Sequence, residues 1–541
     1  MVISTEVEDP KGASSRVRPG GCFFYLETAG GPCIIEIMRL RAFQIVTAAG
    51  IIASIAAAPG PGTPRAPALR GCTASAAEST GDAPVAAAVD DSRGLSCFMI
   101  LAGREATASG SVLLAHNNDL TGSEAAVLEK FPRALHPAGE TVDFPSGLSM
   151  PQADTTFAWL VMRIEEGFAE GDAVAVNEHQ VAVAGGVALG SDRNERAVKA
   201  DPLVSGGLTG GVRYAALQRS RTARELIETV GAWYTRYGVT YPSGFAAADT
   251  SEIWYIESGG GRTWAAVRVP DDHCRVQANG YGIGEVPEDD PDLLHSPGLH
   301  RFCRENGLWD PAACPLVFRE AFGGRYISTP GKRYYNARRV WRGLSLLDPS
   351  LRLDPGLLDH TPSVRPAGPV TLEQLFSILR DHYQGTVFDV YGPDGGSGER
   401  PIASPRCVHT DVIVLRAGMP ADIGAVIYAG PGMPPAVPYL PFYFGIDRVP
   451  GAYSAAGGGA AFHIFRRIAE RYGGDYYGTA SEVMPVWRRL EAGVLSSRDR
   501  FESSVLYLYE EDREAARDLL TAHVDSLCAE ALSAASRLTA R

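Results

Sequence analysis

Apolar and polar positions divide the 541-residue chain into a leader and a folded body, with the change at Cys97. Beyond it, Phe98–Leu101 and Val112–Ala115 are apolar runs suited to buried strands. Ala108-Ser-Gly-Ser111 between them is turn chemistry, so the stretch predicts a hairpin. Such a ribbon returns His116-Asn-Asn-Asp119 to the start of its first strand, placing a thiol near an imidazole, amides and a carboxylate. Further strands are predicted at Ala158–Met162, Ala173–Val176 and Val181–Gly185, the last two joined by the turn Asn177-Glu-His-Gln180. Phe245–Asp249, Ile253–Ile256 and Trp264–Arg268 read as a meander, and His409–Leu415 as one more strand.

Residues 209–230 carry a helical period, with Ala223, Leu226, Ile227 and Val230 on one face. Arg338–Leu347 is a second helix, stopped by Asp348-Pro349. Thr371-Leu-Glu-Gln374 is a capping box opening a third over Leu372–Leu379. Glu510–Arg541 reads as one long helix, and residues 285–335 as long loops, acidic at their start. Grouped strands, separate helices and no βαβ alternation predict a layered α+β sandwich.

The leader has a different composition. Met38 begins a segment with Arg39 and Arg41, a weakly hydrophobic run Phe43–Ile55 and the small residues Ala56-Ala-Ala58, the pattern of a secretory signal peptide over 38–58. That reading leaves residues 1–37 as an upstream extension. The apolar run is shorter than the ~20 residues a spanning helix needs, which favours cleavage over a membrane-anchored form. Residues 59–96 are rich in Pro, Ala and Ser, as expected of a pro-segment or linker. The folded domain is then expected over 97–541, in a protein that is secreted or otherwise extracytoplasmic.

Charge and composition remove several function classes. The net charge of −13, without a basic run, gives no support to nucleic-acid binding. The nine cysteines form no CxxC pair, and Cys303 and Cys314 are near enough in sequence to bridge in an oxidising compartment. HExxH, Walker A and GxSxG motifs are absent, so neither a metal nor another cofactor is called for. What remains is a nucleophile. Cleavage at Ser96–Cys97 would make Cys97 an N-terminus whose own α-amine, with a pKa of about 7.7–8.0, can act as a general base near neutral pH.

From Cys97 the chain resembles the C69 dipeptidases, N-terminal-nucleophile hydrolases related to the choloylglycine hydrolases and secernins. The resemblance rests on an ordered set of pieces: Cys97-x-x-Ile-Leu-x-Gly-Arg104 with Gly110-Ser111 and Asn117-Asn-Asp119; Val176-Asn-Glu-His-Gln-Val-Ala-Val183; Gly207-Leu-Thr209 with Arg221-Thr-Ala-Arg-Glu225; Ala248-Asp249 with Glu252-Ile-Trp254 and Glu257; Trp264–Pro270; Ala278-Asn279; Arg339-Val-Trp341; and Tyr439–Tyr443. It implies a four-layer αββα sandwich and hydrolysis of dipeptides or short peptides through a thioester. Carried over residue by residue, Cys97 is nucleophile and, through its amine, base; Asp119 orients the amine; Asn177 donates to the oxyanion. Asn279 is a second donor or fixes the amine, and Arg339 supports the site. His116 stands where the family usually has arginine, as a substrate-binding residue that is shorter and mostly neutral. Two alternatives stay open: an acylase of the same fold acting on a non-peptide amide, and a secernin-like binding or secretion protein without catalysis. The oligomeric state, a homo-oligomer included, is open as well.

Overall fold

The computed structural model describes residues 22–28, 31–37, 96–120, 122–165, 174–188, 191–239, 241–323, 334–392 and 398–540. The expected signal segment 38–58 and residues 59–95 of the leader lie outside these. The chain separates into two compact units, Met1–Arg65 and Ala66–Arg541. In the first, Cys22–Thr28 and Gly31–Ile37 pair as an antiparallel hairpin where the sequence shows no clear period.

The second unit is an α+β fold built on two antiparallel sheets. In chain order the strands are β1 (Ser96–Ala102), β2 (Val112–Asp119), β3 (Ala126–Phe131), β4 (Trp159–Ile164), β5 (Val174–Asn177), β6 (Ala182–Ala188), β7 (Ser243–Ala248) and β8 (Ile253–Gly260). They continue with β9 (Thr263–Val269), β10 (Cys274–Ala278), β11 (Leu293–His295), β12 (Ser363–Val364), β13 (Cys407–Leu415), β14 (Val426–Gly430) and β15 (Leu440–Tyr443). One sheet runs β11-β9-β8-β7-β6-β5-β4-β3 and the other β12-β10-β1-β2-β13-β14-β15. The predicted hairpin is therefore present as β1–β2, at the centre of the second sheet.

The main helices are α1 (Val212–Leu217), α2 (Ala223–Tyr237), α3 (Tyr335–Leu347), α4 (Leu372–Leu379), α5 (Ala461–Tyr472), α6 (Tyr476–Glu511) and α7 (Arg513–Thr539). On the first sheet, α2 packs over β7, β8 and β9 with Leu226, Ile227 and Val230 fully buried. On the second, α3 packs over β10, α4 over β2 and β13, and α7 over β15. The two sheets meet where β6 lies against β1 and β2. Each fully buried aliphatic side chain in these layers contributes roughly 1.5–3 kcal/mol. Arg416 ties α6 to the second sheet through Glu502, with Nη1 to Oε2 at 2.5 Å and Nη2 to Oε1 at 3.0 Å.

Three expectations change. The single helix over 209–230 is instead α1 and α2, because Thr222 caps a new start by accepting from the Glu225 amide at 3.1 Å. The long C-terminal helix is the end of α6 plus α7: Asp512 breaks the run and caps α7 by accepting from the Glu514 and Ala515 amides at 3.0 Å. Residues 285–335 are not all loop, since they hold β11 and the short helices Leu299–Glu305 and Phe318–Gly323. Cys303 and Cys314 are both free thiols.

One close approach sets how α3 sits. A Cβ at Gly343 would lie 2.7 Å from Val276 Cγ1 and 3.1 Å from Phe98 Cζ. Gly343→Val should therefore push α3 off the sheet at a cost of about 1–3 kcal/mol, read as a lower urea midpoint with an unchanged slope.

Candidate active site

Strand periodicity assigns the site its two faces. Met99 on β1 reaches across to Gly185 of β6: a Cβ there would be 2.0 Å from Met99 Cε. Cys97, two residues earlier, shares that inner face, between the sheets. Phe98 points the other way, to Gly343 of α3. The ladder pairs Cys97 with Asn118 and Met99 with His116 across β1–β2. It then pairs Asn118 with His409 and His116 with Asp411 across β2–β13. One inner row is thus Cys97, Asn118 and His409, and the next is Met99, His116 and Asp411. A register shift between Cys407 and His409 puts Cys407 opposite Asp119, on the outer face, while His409 stays inside.

Cys97 is almost fully buried, and each of its functional atoms has its own neighbour. Its backbone N–H donates to Asn279 Oδ1 at 2.8 Å. Its thiol contacts Asn118 Oδ1 at 3.5 Å. Its carbonyl oxygen accepts from Arg339 Nη1 at 3.4 Å. The contacts continue along the row: Asn118 Nδ2 lies 2.9 Å from His409 Nε2, and His409 Nδ1 lies 2.5 Å from Asp411 Oδ2.

Of the residues expected at the site, Cys97, Asn279 and Arg339 are brought together directly. Asp119 is adjacent, but it faces cations rather than the Cys97 nitrogen: Oδ2 is 3.5 Å from Arg339 Nη1 and 3.9 Å from Arg400 Nε. Burial raises its carboxyl to about 6, outweighing the two guanidiniums, which pull the other way. Burial, together with Arg400, also lowers the Arg339 guanidinium. His116 lies one row along from Cys97, fully buried, with neither ring nitrogen hydrogen-bonded. Burial first, then His409 and Arg213, push it well below the usual imidazole range, so it is neutral.

Asn177 has a different role from the one expected. Its two amide hydrogens donate to the carbonyls of Leu217 and Ser220 at 2.7 and 2.8 Å. Its oxygen accepts from the amides of His179 and Val181 at 2.9 and 3.0 Å. The side chain ties the β5–β6 turn to the break between α1 and α2, and no amide hydrogen is left over for an oxyanion.

Sequence reasoning passed over Arg400, His409 and Asp411, and placed Asn118 near the thiol without giving it a role. His409 and Asp411 did carry a signal, because two polar residues two positions apart in a strand share a face. His116, His409 and Asp411 form a donor set in which the ligand atoms lie within 4.8 Å of one another. Their chemistry would suit a divalent transition metal, but both His409 nitrogens already have protein neighbours.

Residues 96–488 match the family model described as Peptidase family C69. A "Probable dipeptidase" of Salmonella dublin is 30% identical over 360 residues, covering 65% of this chain and 82% of its own. A "Probable dipeptidase" of Latilactobacillus sakei is 29% identical over 359 residues, with coverages of 64% and 74%. A "Dipeptidase" of Bifidobacterium longum is 29% identical over 402 residues, with coverages of 66% and 72%.

Two predictions come from this geometry. Asn177→Ala should cost on the order of 2–4 kcal/mol of stability through its lost hydrogen bonds, measured by urea unfolding; an oxyanion donor would instead lower kcat at unchanged stability. Asp119 titrates higher in the folded chain, at about 6, than in the unfolded chain, at about 3.9. The folded state therefore binds the extra proton, and stability falls as pH rises from about 4 to about 6. Asp119→Asn should remove that slope, so the difference between its melting temperature and the wild type's changes across this window and is constant above it.

Proposed function

The chain belongs to peptidase family C69, and on that premise we propose that it is an exported, self-processing cysteine dipeptidase with Cys97 as its N-terminal nucleophile. The observation that carries the reading is the hold on Cys97: Asn279 at its nitrogen, Asn118 at its sulfur and Arg339 at its carbonyl oxygen. The same contacts suit two reactions in turn. In the first, the thiol attacks the Ser96 carbonyl carbon. A C–S bond forms, the Ser96–Cys97 C–N bond breaks, and the nitrogen takes the thiol proton as it becomes a free amine. Water then hydrolyses the resulting ester-like link to release the leader. In the second, the freed amine accepts the thiol proton while the sulfur attacks the scissile carbonyl of a dipeptide. The leaving amine departs protonated, and water cleaves the thioester. Asn279 Oδ1, which accepts from the Cys97 N–H, remains placed to accept from the amine.

The stacking of helices, two sheets and helices supports a four-layer αββα N-terminal-nucleophile sandwich over 97–541. The signal-peptide pattern at 38–58 supports export, with residues 59–96 as the pro-segment. His116, neutral and without a hydrogen-bond partner, is proposed to meet the substrate. The relatives' names favour dipeptides over other amides.

The test is direct. N-terminal sequencing of folded protein should find Cys97 first, and an intact Ser96–Cys97 bond in folded, exported protein would overturn the reading. Cys97→Ala should leave the leader attached and reduce hydrolysis of a dipeptide panel to background. Activity surviving that change would place the nucleophile elsewhere.

A further inference from the structure

The inner face of the second sheet holds three polar groups in line with the Cys97 thiol. Asp411 Oδ2 is 2.5 Å from His409 Nδ1, His409 Nε2 is 2.9 Å from Asn118 Nδ2, and Asn118 Oδ1 is 3.5 Å from Cys97 Sγ. Asn118, His409 and Asp411 are fully buried, so bulk water does not compete for these contacts.

The donor and acceptor roles along the row are coupled. Asp411 as a carboxylate can only accept, so His409 carries its proton on Nδ1. Nε2 is then a lone pair and can only accept, so Asn118 must turn its NH2 toward it. The amide has two ends, and its oxygen is left facing the sulfur. A carbonyl oxygen there accepts from a neutral S–H but repels a thiolate; an N–H there would stabilise the thiolate.

We propose that His409 and Asp411 are positioning residues that fix which end of the Asn118 amide faces the Cys97 thiol. The arrangement holds the sulfur as a neutral thiol until the amine and the substrate carbonyl are both in place, which suits a nucleophile that must give its proton to its own nitrogen. The inference rests on Cys97 being the nucleophile. Other titratable groups stand around the row: His116 beside His409 on the adjacent strand, with ring centroids 5.8 Å apart, Arg339 at the Cys97 carbonyl, and the Cys407 thiol, which donates to the His409 carbonyl at 3.0 Å. His116 shares the next row with Asp411 and does not lie between His409 and Asn118.

The test reads the thiol without needing turnover. The rate of Cys97 alkylation by iodoacetamide is followed against pH on the purified protein, with the Cys97 peptide resolved by mass spectrometry and its N-terminus determined beforehand. Asp411→Asn and His409→Gln each release the Asn118 amide to turn its N–H to the sulfur. Both should shift the alkylation midpoint down by about one pH unit, close to tenfold more thiolate at a pH below the midpoint. In an Asn118→Leu background the same changes should produce no shift, as a double-mutant cycle requires. A purely structural role would lower stability and leave the midpoint in place. The proposal is overturned by unchanged midpoints in folded variants, by shifts that persist without Asn118, or by stoichiometric zinc in the wild-type protein that is lost with Asp411→Asn. The two variants alter different residues, so either can decide the matter if the other fails to fold. Failure here leaves the N-terminal sequence and dipeptide hydrolysis untouched, whereas failure of the dipeptidase reading appears in those two measurements.

Discussion

The site depends on the register of three neighbouring strands. Cys97 opposes Asn118 and Asn118 opposes His409 because β1, β2 and β13 pair in one alignment. The side-chain period of a strand is two, so a slip of one residue would send Cys97 into the helix layer and bring Phe98 inward. The register is held by apolar burial on both faces: Met99 against β6 on one side, Phe98 and Val276 against Gly343 of α3 on the other. Packing that has no chemical role thus determines which polar groups can meet.

The irregularity in β13 is part of the same constraint. Without the shift between Cys407 and His409, strict alternation would put Cys407 and His409 on one face. With it, Cys407 is set opposite Asp119 while His409 reaches Asn118. Asp119, Arg339 and Arg400 then form a charged group on the outer side, separate from the polar row inside. Burial raises the carboxyl and lowers the Arg339 guanidinium, so the group is held by its surroundings more than by its own attraction. A charge retained under those conditions makes sense where Arg339 has a further partner, and it has one in the Cys97 carbonyl.

The sequence made the centre of the fold legible and left its edges unread. The β1–β2 hairpin, the meander from β7 to β9, and α3 and α4 were visible because each carries a clean period between recognisable turns or caps. The break between α1 and α2 was hidden because residues on both sides keep a helical pattern; Thr222 caps the new start, and Asn177, distant in sequence, takes the Leu217 and Ser220 carbonyls freed at the interruption. The α6–α7 boundary was missed for a local reason, a single Asp512 cap inside a long helix-forming run. At the site, Cys97, Asn279 and Arg339 could be named from the family pattern. Asn118 lay inside that pattern without a role and His409 outside it, because their meeting depends on a cross-strand register that a single sequence does not reveal. Asn177 was misread because a turn asparagine looks the same whether its amide faces a substrate or the backbone.

The three contacts at Cys97 come from three different parts of the fold: the end of β10, the middle of the sheet at β2, and helix α3 from the outer layer. A residue gripped at nitrogen, sulfur and carbonyl oxygen by separate elements has little freedom to rotate. On the proposed reading that matters, because the base for the Cys97 thiol would be its own α-amine, and the side-chain rotamer decides whether the sulfur lies beside it. A rotamer fixed in advance would then remove an entropic cost from each turnover. The same reading fits a nitrogen whose partner is the neutral amide oxygen of Asn279 and not Asp119. An asparagine oxygen can accept from the amide N–H of the uncut chain and from the amine of a cut one without changing its charge. A carboxylate in the same place would favour the protonated amine, and an amine held as a cation cannot take the thiol proton.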